Sequence, residues 1–179
     1  MAKLPKEVQV LVDALTDSKK TTYEVKKARS MKMGALMLYV YDAKTKAKLP
    51  VWDKLPLIIL LDKPQGKYII GINIHYIPYS FRINLIKELQ SRGENKLRIK
   101  YSDVLRAWKK SKIPGAYLKL AIRKYLANHI RSNIRIFTGK DEQLEIVRNV
   151  LPQFVKKSMS QTYKDIDQKI KQHKQKSNK

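Results

Sequence analysis

Leu57-Ile-Ile-Leu-Leu61 and Tyr68-Ile-Ile-Gly-Ile-Asn-Ile-His75, joined through Lys63-Pro-Gln-Gly66, carry the strongest structural signal in the chain. The first is an apolar run of strand length, the second is rich in β-branched residues, and Pro and Gly in the connector are turn chemistry. Together they predict an antiparallel hairpin. Side chains alternate along a strand, so Tyr68, Ile70, Ile72 and Ile74 share one face and Ile69, Gly71, Asn73 and His75 the other, with one face expected to be core. Just beyond, Pro78 and Ser80 open a helix over about residues 81–92. Its Ile83, Leu85, Ile86 and Leu89 face inward, and Gly93 stops it.

Upstream of the hairpin, residues 36–41 favour a strand and 42–48 a polar loop. Val8, Leu11, Val12 and Leu15 recur at helical spacing and predict a short amphipathic helix over 6–15, followed by a basic connector over 19–30. Downstream, 97–100 reads as a short strand. Ser102 or Asp103 caps a helix bearing Val104, Leu105 and Trp108, which Pro114 ends. Residues 115–133 give the longest helical pattern, with Leu118, Ala121, Ile122, Leu126 and Ile130 as its stripe. A closing strand over 135–137, a helix from 138–141 through Val150 and a last helix starting at Pro152 complete the pattern. Residues 167–179 hold one sizeable apolar residue, Ile170, and are expected to fray into a basic arm. The fold class expected is α+β: a small, bent antiparallel sheet or SH3-like barrel from segments near 36–41, 57–62, 68–75, 97–100 and 133–137, packed with helices and ending in a basic helical tail. The organisation expected is an N-terminal helix and connector over 1–30, a core domain over 31–151, and a C-terminal helix and tail over 152–179.

Charge narrows the function. The 179 residues contain 39 Lys plus Arg against 15 Asp plus Glu, a net charge of +24. A small domain needs a net charge of only about 2 to 8 for solubility, and a larger excess of one sign destabilises the compact state by self-repulsion. A polyanionic partner offsets that cost. No apolar run approaches the roughly 20 residues that span a bilayer, and Met1 to Lys20 lacks the apolar block of a secretory signal, so an intracellular protein with no membrane partner is expected. With no cysteine, disulfides, thiolate metal sites and sulfur nucleophiles are excluded. The chain has neither a Gly-rich phosphate loop nor a nucleophile elbow, so no cofactor and no small-molecule substrate are expected. Nucleic acid, above all double-stranded DNA, fits best.

From Lys96 to Arg135 twelve cations face one acid, Asp103. Solvated helix faces usually mix signs; this stretch does not, which is the footprint of phosphate tracking. The candidate contacts are Lys109, Lys110, Lys112, Lys119, Arg123, Lys124, Arg131 and Arg135. On the expected long helix Lys119 and Arg123 lie one turn apart with Lys124 beside them, a basic ridge, and Arg131 and Arg135 follow at its end. Trp52 and Tyr79, flanked by loops, are the aromatics best placed to stack on bases. His75, His129 and His173 are too dispersed for a metal triad, and His75 is expected to make a buried hydrogen bond shaping the turn after its strand. Asp42, Asp53 and Asp62 at strand ends are the acids a metal-dependent nuclease would use, though Asp is also ordinary turn chemistry.

The segments "YVYDAKTKAKLPVWDKLPLIILL", "GINIHYIPYSFRINLIKEL", "LRIKYSDVL" and "IRKYLANHIRSNIRIF" resemble the virion-associated DNA end protectors of T-even-like tailed phages. The positions that carry the resemblance are Tyr41, Asp42, Lys44, Leu49, Pro50, Trp52, Asp53, Pro56, Leu57, Gly71, Asn73, His75, Tyr76 and Pro78, with Trp52 standing where the pattern has Tyr. The resemblance spans about residues 34–137. It implies non-catalytic binding to genome ends, in the virion and the host cytoplasm, with other virion proteins as further partners. The alternatives are a head-completion or portal/tail connector protein docking on an acidic neighbour, and a metal-dependent nuclease.

Overall fold

The computed structural model describes residues 32–62, 67–93 and 100–177, together with Val10. The expected helix over 6–15, the connector over 19–30, the turn at 63–66 and most of the expected strand at 97–100 lie outside the described residues. Five antiparallel strands form the main sheet: β1 (Leu36–Leu38), β3 (Leu57–Leu60), β4 (Tyr68–Asn73), β5 (Ile122–Leu126) and β6 (Arg135–Phe137), in the order β5-β4-β3-β1-β6. Two short strands, β2 (Trp52–Asp53) and β7 (Phe154–Val155), pair antiparallel as a separate clasp. The helices are α1 (Tyr79–Gly93), α2 (Tyr101–Lys110), α3 (Gly115–Ala121), α4 (Lys140–Asn149) and α5 (Met159–Ser177). The fold is α+β, and the sheet does not close into a barrel.

The apolar runs of β1 and β3 have no polar alternation because both faces of the sheet are covered. Leu36, Leu38, Val40, Leu57, Ile59, Ile72 and Ile74 point to the helical side and join Leu85, Ile86, Leu89, Val104, Trp108 and Val147. Met37, Tyr39, Tyr41, Ile58, Leu60, Ile69, Tyr125 and Ile130 form a second core on the other side. This corrects the expectation of one core face for the hairpin: Ile72 and Ile74 are buried on one side, and Ile69, Asn73 and His75 are equally buried on the other. In the second core the rings of Tyr39, Tyr41 and Tyr125 meet edge to face, at centroid distances of 5.0 to 6.5 Å, the geometry their ring quadrupoles favour.

The expected helix over 115–133 ends at Ala121. From Ile122 the backbone extends and pairs with β4, Tyr68 facing Leu126 and Ile72 facing Ile122. The free edge of β4 satisfies five residues of backbone, and the Ile-Arg-Lys-Tyr-Leu segment buries Tyr125 in the second core while leaving Lys124 exposed. That tertiary gain outweighs the local helical spacing. A single 3-10 turn over Ala127–His129 follows, and residues 129–132 then run beside Val40 to Asp42, held by Arg131 N–H to Val40 O at 2.8 Å and Asp42 N–H to His129 O at 3.0 Å. The C-terminal stretch also departs from expectation. Pro152 leads into β7 rather than a helix, and α5 runs to Ser177 instead of fraying at 167, because Ile166 and Ile170 are buried against the helical core and the Tyr117 hydroxyl donates to Asp167 at 2.7 Å.

Candidate nucleic-acid interface

The loop after β4 and the β2–β7 clasp meet at a buried carboxylate, Asp53. Its Oδ1 accepts from the N–H groups of Leu55 (3.1 Å) and Gln153 (3.2 Å), and its Oδ2 lies 2.6 Å from His75 Nδ1 and accepts from Asn73 Nδ2 at 3.0 Å. Burial alone would raise the carboxyl's pKa, but the His75 charge and these donors hold it below the usual Asp value. Asn73 also donates to the Tyr125 hydroxyl at 3.0 Å, and its Oδ1 accepts from His75 N–H at 3.0 Å, which starts the 3-10 turn over Ile74–Tyr76. The Tyr163 hydroxyl of α5 donates to His75 O at 2.8 Å, and the buried Arg82 reaches Ile77 O, His75 O and Tyr163 Oη. The expectation for His75 holds: it makes a buried hydrogen bond and shapes the turn leading into α1.

Beside this network lies a cleft of ≈ 520 Å³ between the 43–52 loop, the edge strand β5 and α5. Its cations are Lys44, Arg123, Lys124 and Lys169, and Tyr41, Trp52, Tyr68, Tyr76 and Tyr125 supply its aromatic surface. The Arg123 guanidinium sits 4.3 Å from the Tyr76 ring centroid and the Lys124 ammonium 3.8 Å from that of Tyr68. Such cation–π packing fixes long side chains that would otherwise sample many rotamers. Burial, only partly offset by Arg123, pushes the Tyr76 hydroxyl up to about 12, so it stays a neutral donor. Asp53 is the one carboxylate at the cleft among the described residues, and its four hydrogen-bonding positions are occupied within the protein.

Three of the candidate contacts, Arg123, Lys124 and Trp52, converge on this cleft, although they do so from strands and not from a helical ridge. Lys119 stays behind on α3, exposed, so the ridge of Lys119, Arg123 and Lys124 does not exist as expected. Arg131 and Arg135 also lie outside any helix. Arg131 faces Asp42 at 3.8 Å and Arg135 pairs with Glu142 at 3.3 Å. Lys109, Lys110 and Lys112 gather at the end of α2, where Lys110 pairs with Glu88 at 3.2 Å and Lys112 takes the left-handed φ of 55° that closes the helix. Tyr79 is half exposed at the start of α1, with Arg82 5.9 Å from its ring centroid. Sequence reading missed Lys44, Lys169 and Tyr68 as cleft residues. The signal available was the alternation in β4, which puts Tyr68 beside whichever strand pairs with that edge.

Among the acids considered for metal chemistry, Asp42 is paired with Lys46 at 3.0 Å, and that contact chiefly lowers its pKa. Among the described residues no group of three or more His, Asp and Glu side chains is arranged to hold a metal ion, and no helix is long and apolar enough to cross a membrane.

The fold and the cleft define a small, strongly basic α+β protein with a recessed surface at which cations border aromatic rings. The particular family follows from the sequence as a whole. The chain belongs to the family described as Phage T4 terminal DNA protecting protein, whose family model matches residues 6–173. No curated protein and no solved structure matches the chain.

Proposed function

We propose that the protein binds the ends of linear double-stranded DNA, in the phage particle and in the host cytoplasm, and shields them without cutting them. The observation that carries this reading is the grouping of Arg123, Lys124, Lys44 and Lys169 around an aromatic cleft in a chain whose family is defined by protection of DNA termini. Backbone phosphates approaching the cleft meet these cations, release condensed counterions and gain affinity that does not depend on sequence. Lys109, Lys112 and Lys119, exposed and without a carboxylate partner among the described residues, extend the electrostatic footprint as secondary contacts. Asp53 plays a supporting part, holding the cleft floor through His75 and Asn73. Other virion proteins are further partners in this reading, through surfaces away from the cleft.

The test compares one duplex as a blunt linear molecule and as a closed circle, over a salt series, with exonuclease digestion in parallel. Preferential binding and protection of the linear form is the expected result. Equal, steeply salt-dependent binding to both would reduce the protein to a phosphate coat, and no binding would redirect the charge to an acidic protein neighbour.

A further inference from the structure

The cleft holds more than phosphate contacts need. A protein that only tracks the duplex backbone requires cations on a convex or grooved rim. Here the cations border a recess lined by both aromatic and aliphatic side chains, Tyr68, Tyr76 and Trp52 together with Leu49, Pro50 and Ile122. At ≈ 520 Å³ it falls within the roughly 300–1,000 Å³ of clefts that take small organic ligands, well beyond what one phosphate fills. Trp52 is half buried at its edge, with an indole N–H that has no hydrogen-bond partner among the described residues.

We propose that the cleft receives the terminal nucleotide of one DNA strand, unpaired from its complement, with its phosphate on Arg123 and Lys124 and its base among the half-buried aromatic side chains that line it, Trp52 and Tyr68. This rests on the end-binding reading and specifies which part of the end is held. Three features support it. Aromatic walls contribute to nucleic-acid affinity by stacking on an exposed base face, and a paired base inside a duplex exposes none. The two leading cations are already fixed on tyrosine rings, so little rotamer freedom is lost when they meet a phosphate. The carboxylate at the floor is saturated with hydrogen bonds to Leu55, Asn73, His75 and Gln153, so its oxygens are turned to the protein and away from an incoming anion. A terminal base pair is also the easiest to open, because it stacks on one side only.

The experiment measures affinity of the full chain for one duplex whose ends are fully paired, mismatched at the last pair, locked at the last pair by an interstrand cross-link, or closed by hairpins. Free deoxynucleoside 5′-monophosphate is added as a competitor. Mismatched ends should bind roughly tenfold tighter than locked ones, hairpin ends weakest, and the monophosphate should compete only at far higher concentration. Arg123→Gln and Tyr68→Leu should erase the preference for mismatched over locked ends while leaving the circular dichroism spectrum intact. In parallel, 5-iododeoxyuridine at the terminal position should photocross-link to residues of the cleft; a cross-link mapped elsewhere overturns the proposal even if a variant fails to fold. Equal binding of mismatched and locked ends, with hairpins weaker, overturns the nucleotide inference and leaves end binding standing. Equal binding of all four forms removes both. Competition by the monophosphate on a par with DNA ends makes the cleft a free-nucleotide pocket and overturns the proposal.

Discussion

Asp53 sits at the junction of three distant stretches of chain, and its four hydrogen bonds tie them together. Asp53→Asn puts an amide NH2 in place of one accepting oxygen, and a buried donor left unsatisfied by such a change costs about 1–3 kcal/mol. Urea denaturation should show that loss. Because the folded Asp53 carboxyl titrates below its unfolded value of about 3.9, its contribution is fully present above that pH and disappears as acidification passes through the lower folded value. The wild-type protein should therefore lose stability more steeply below about pH 4 than Asp53→Asn. Gly71 makes a second, purely steric point. A Cβ there would come within 2.8 Å of Ile59 O and 2.9 Å of Ile58 Cδ1. Gly71→Ala should cost about 1–3 kcal/mol, read as a lower thermal midpoint. At this scale the sequence placed His75 correctly as a buried turn-former. It could not supply the partner, 22 residues away on a two-residue strand too short to announce itself.

Elements show where local pattern is enough and where it is not. The hairpin of β3 and β4, helix α1 and strand β6 lie where apolar runs, Pro78 and Gly93 put them, because each buries its own periodic face. Residues 115–133 were legible as apolar but not as strand. Leu118, Ile122 and Leu126 fit a helical stripe, yet Ile122 to Leu126 also suit a pleated edge, and the open side of β4 decided between them. The same limit applies to the C-terminal stretch. A single Ile170 looks inadequate until α5 is laid on the core, where Ile166 and Ile170 fill one line of contacts. Ile170→Ala should lower stability by about 2 kcal/mol or more, against less than about 0.5 kcal/mol for the exposed Lys171→Ala. Urea titrations of the two variants read this directly, and a frayed tail would leave both neutral.

For the whole molecule, the excess of Lys and Arg gave the partner class from composition alone, since charge needs no knowledge of topology. The cleft was not legible in the same way. Its cations come from a loop, an edge strand and the last helix, and no spacing in the sequence links Lys44, Arg123 and Lys169. If Arg123 and Lys124 each neutralise one phosphate, replacing both with Ala should flatten the slope of log affinity against log salt by roughly 2. Fluorescence titrations on linear DNA from low to physiological salt would measure it. The β2–β7 clasp has a further consequence, for the order of assembly. Lys54 N–H donates to Gln153 O at 2.8 Å, and Trp52 pairs with Val155, so the two sides of the clasp leave the ribosome about a hundred residues apart. Synthesis at about 5–20 residues per second leaves an interval of several seconds in which Arg123 and Lys124 have been made but Gln153, Tyr163 and Lys169 have not. During that interval the recess lacks its last helix, and the end-binding surface proposed above is complete only once translation has delivered that helix.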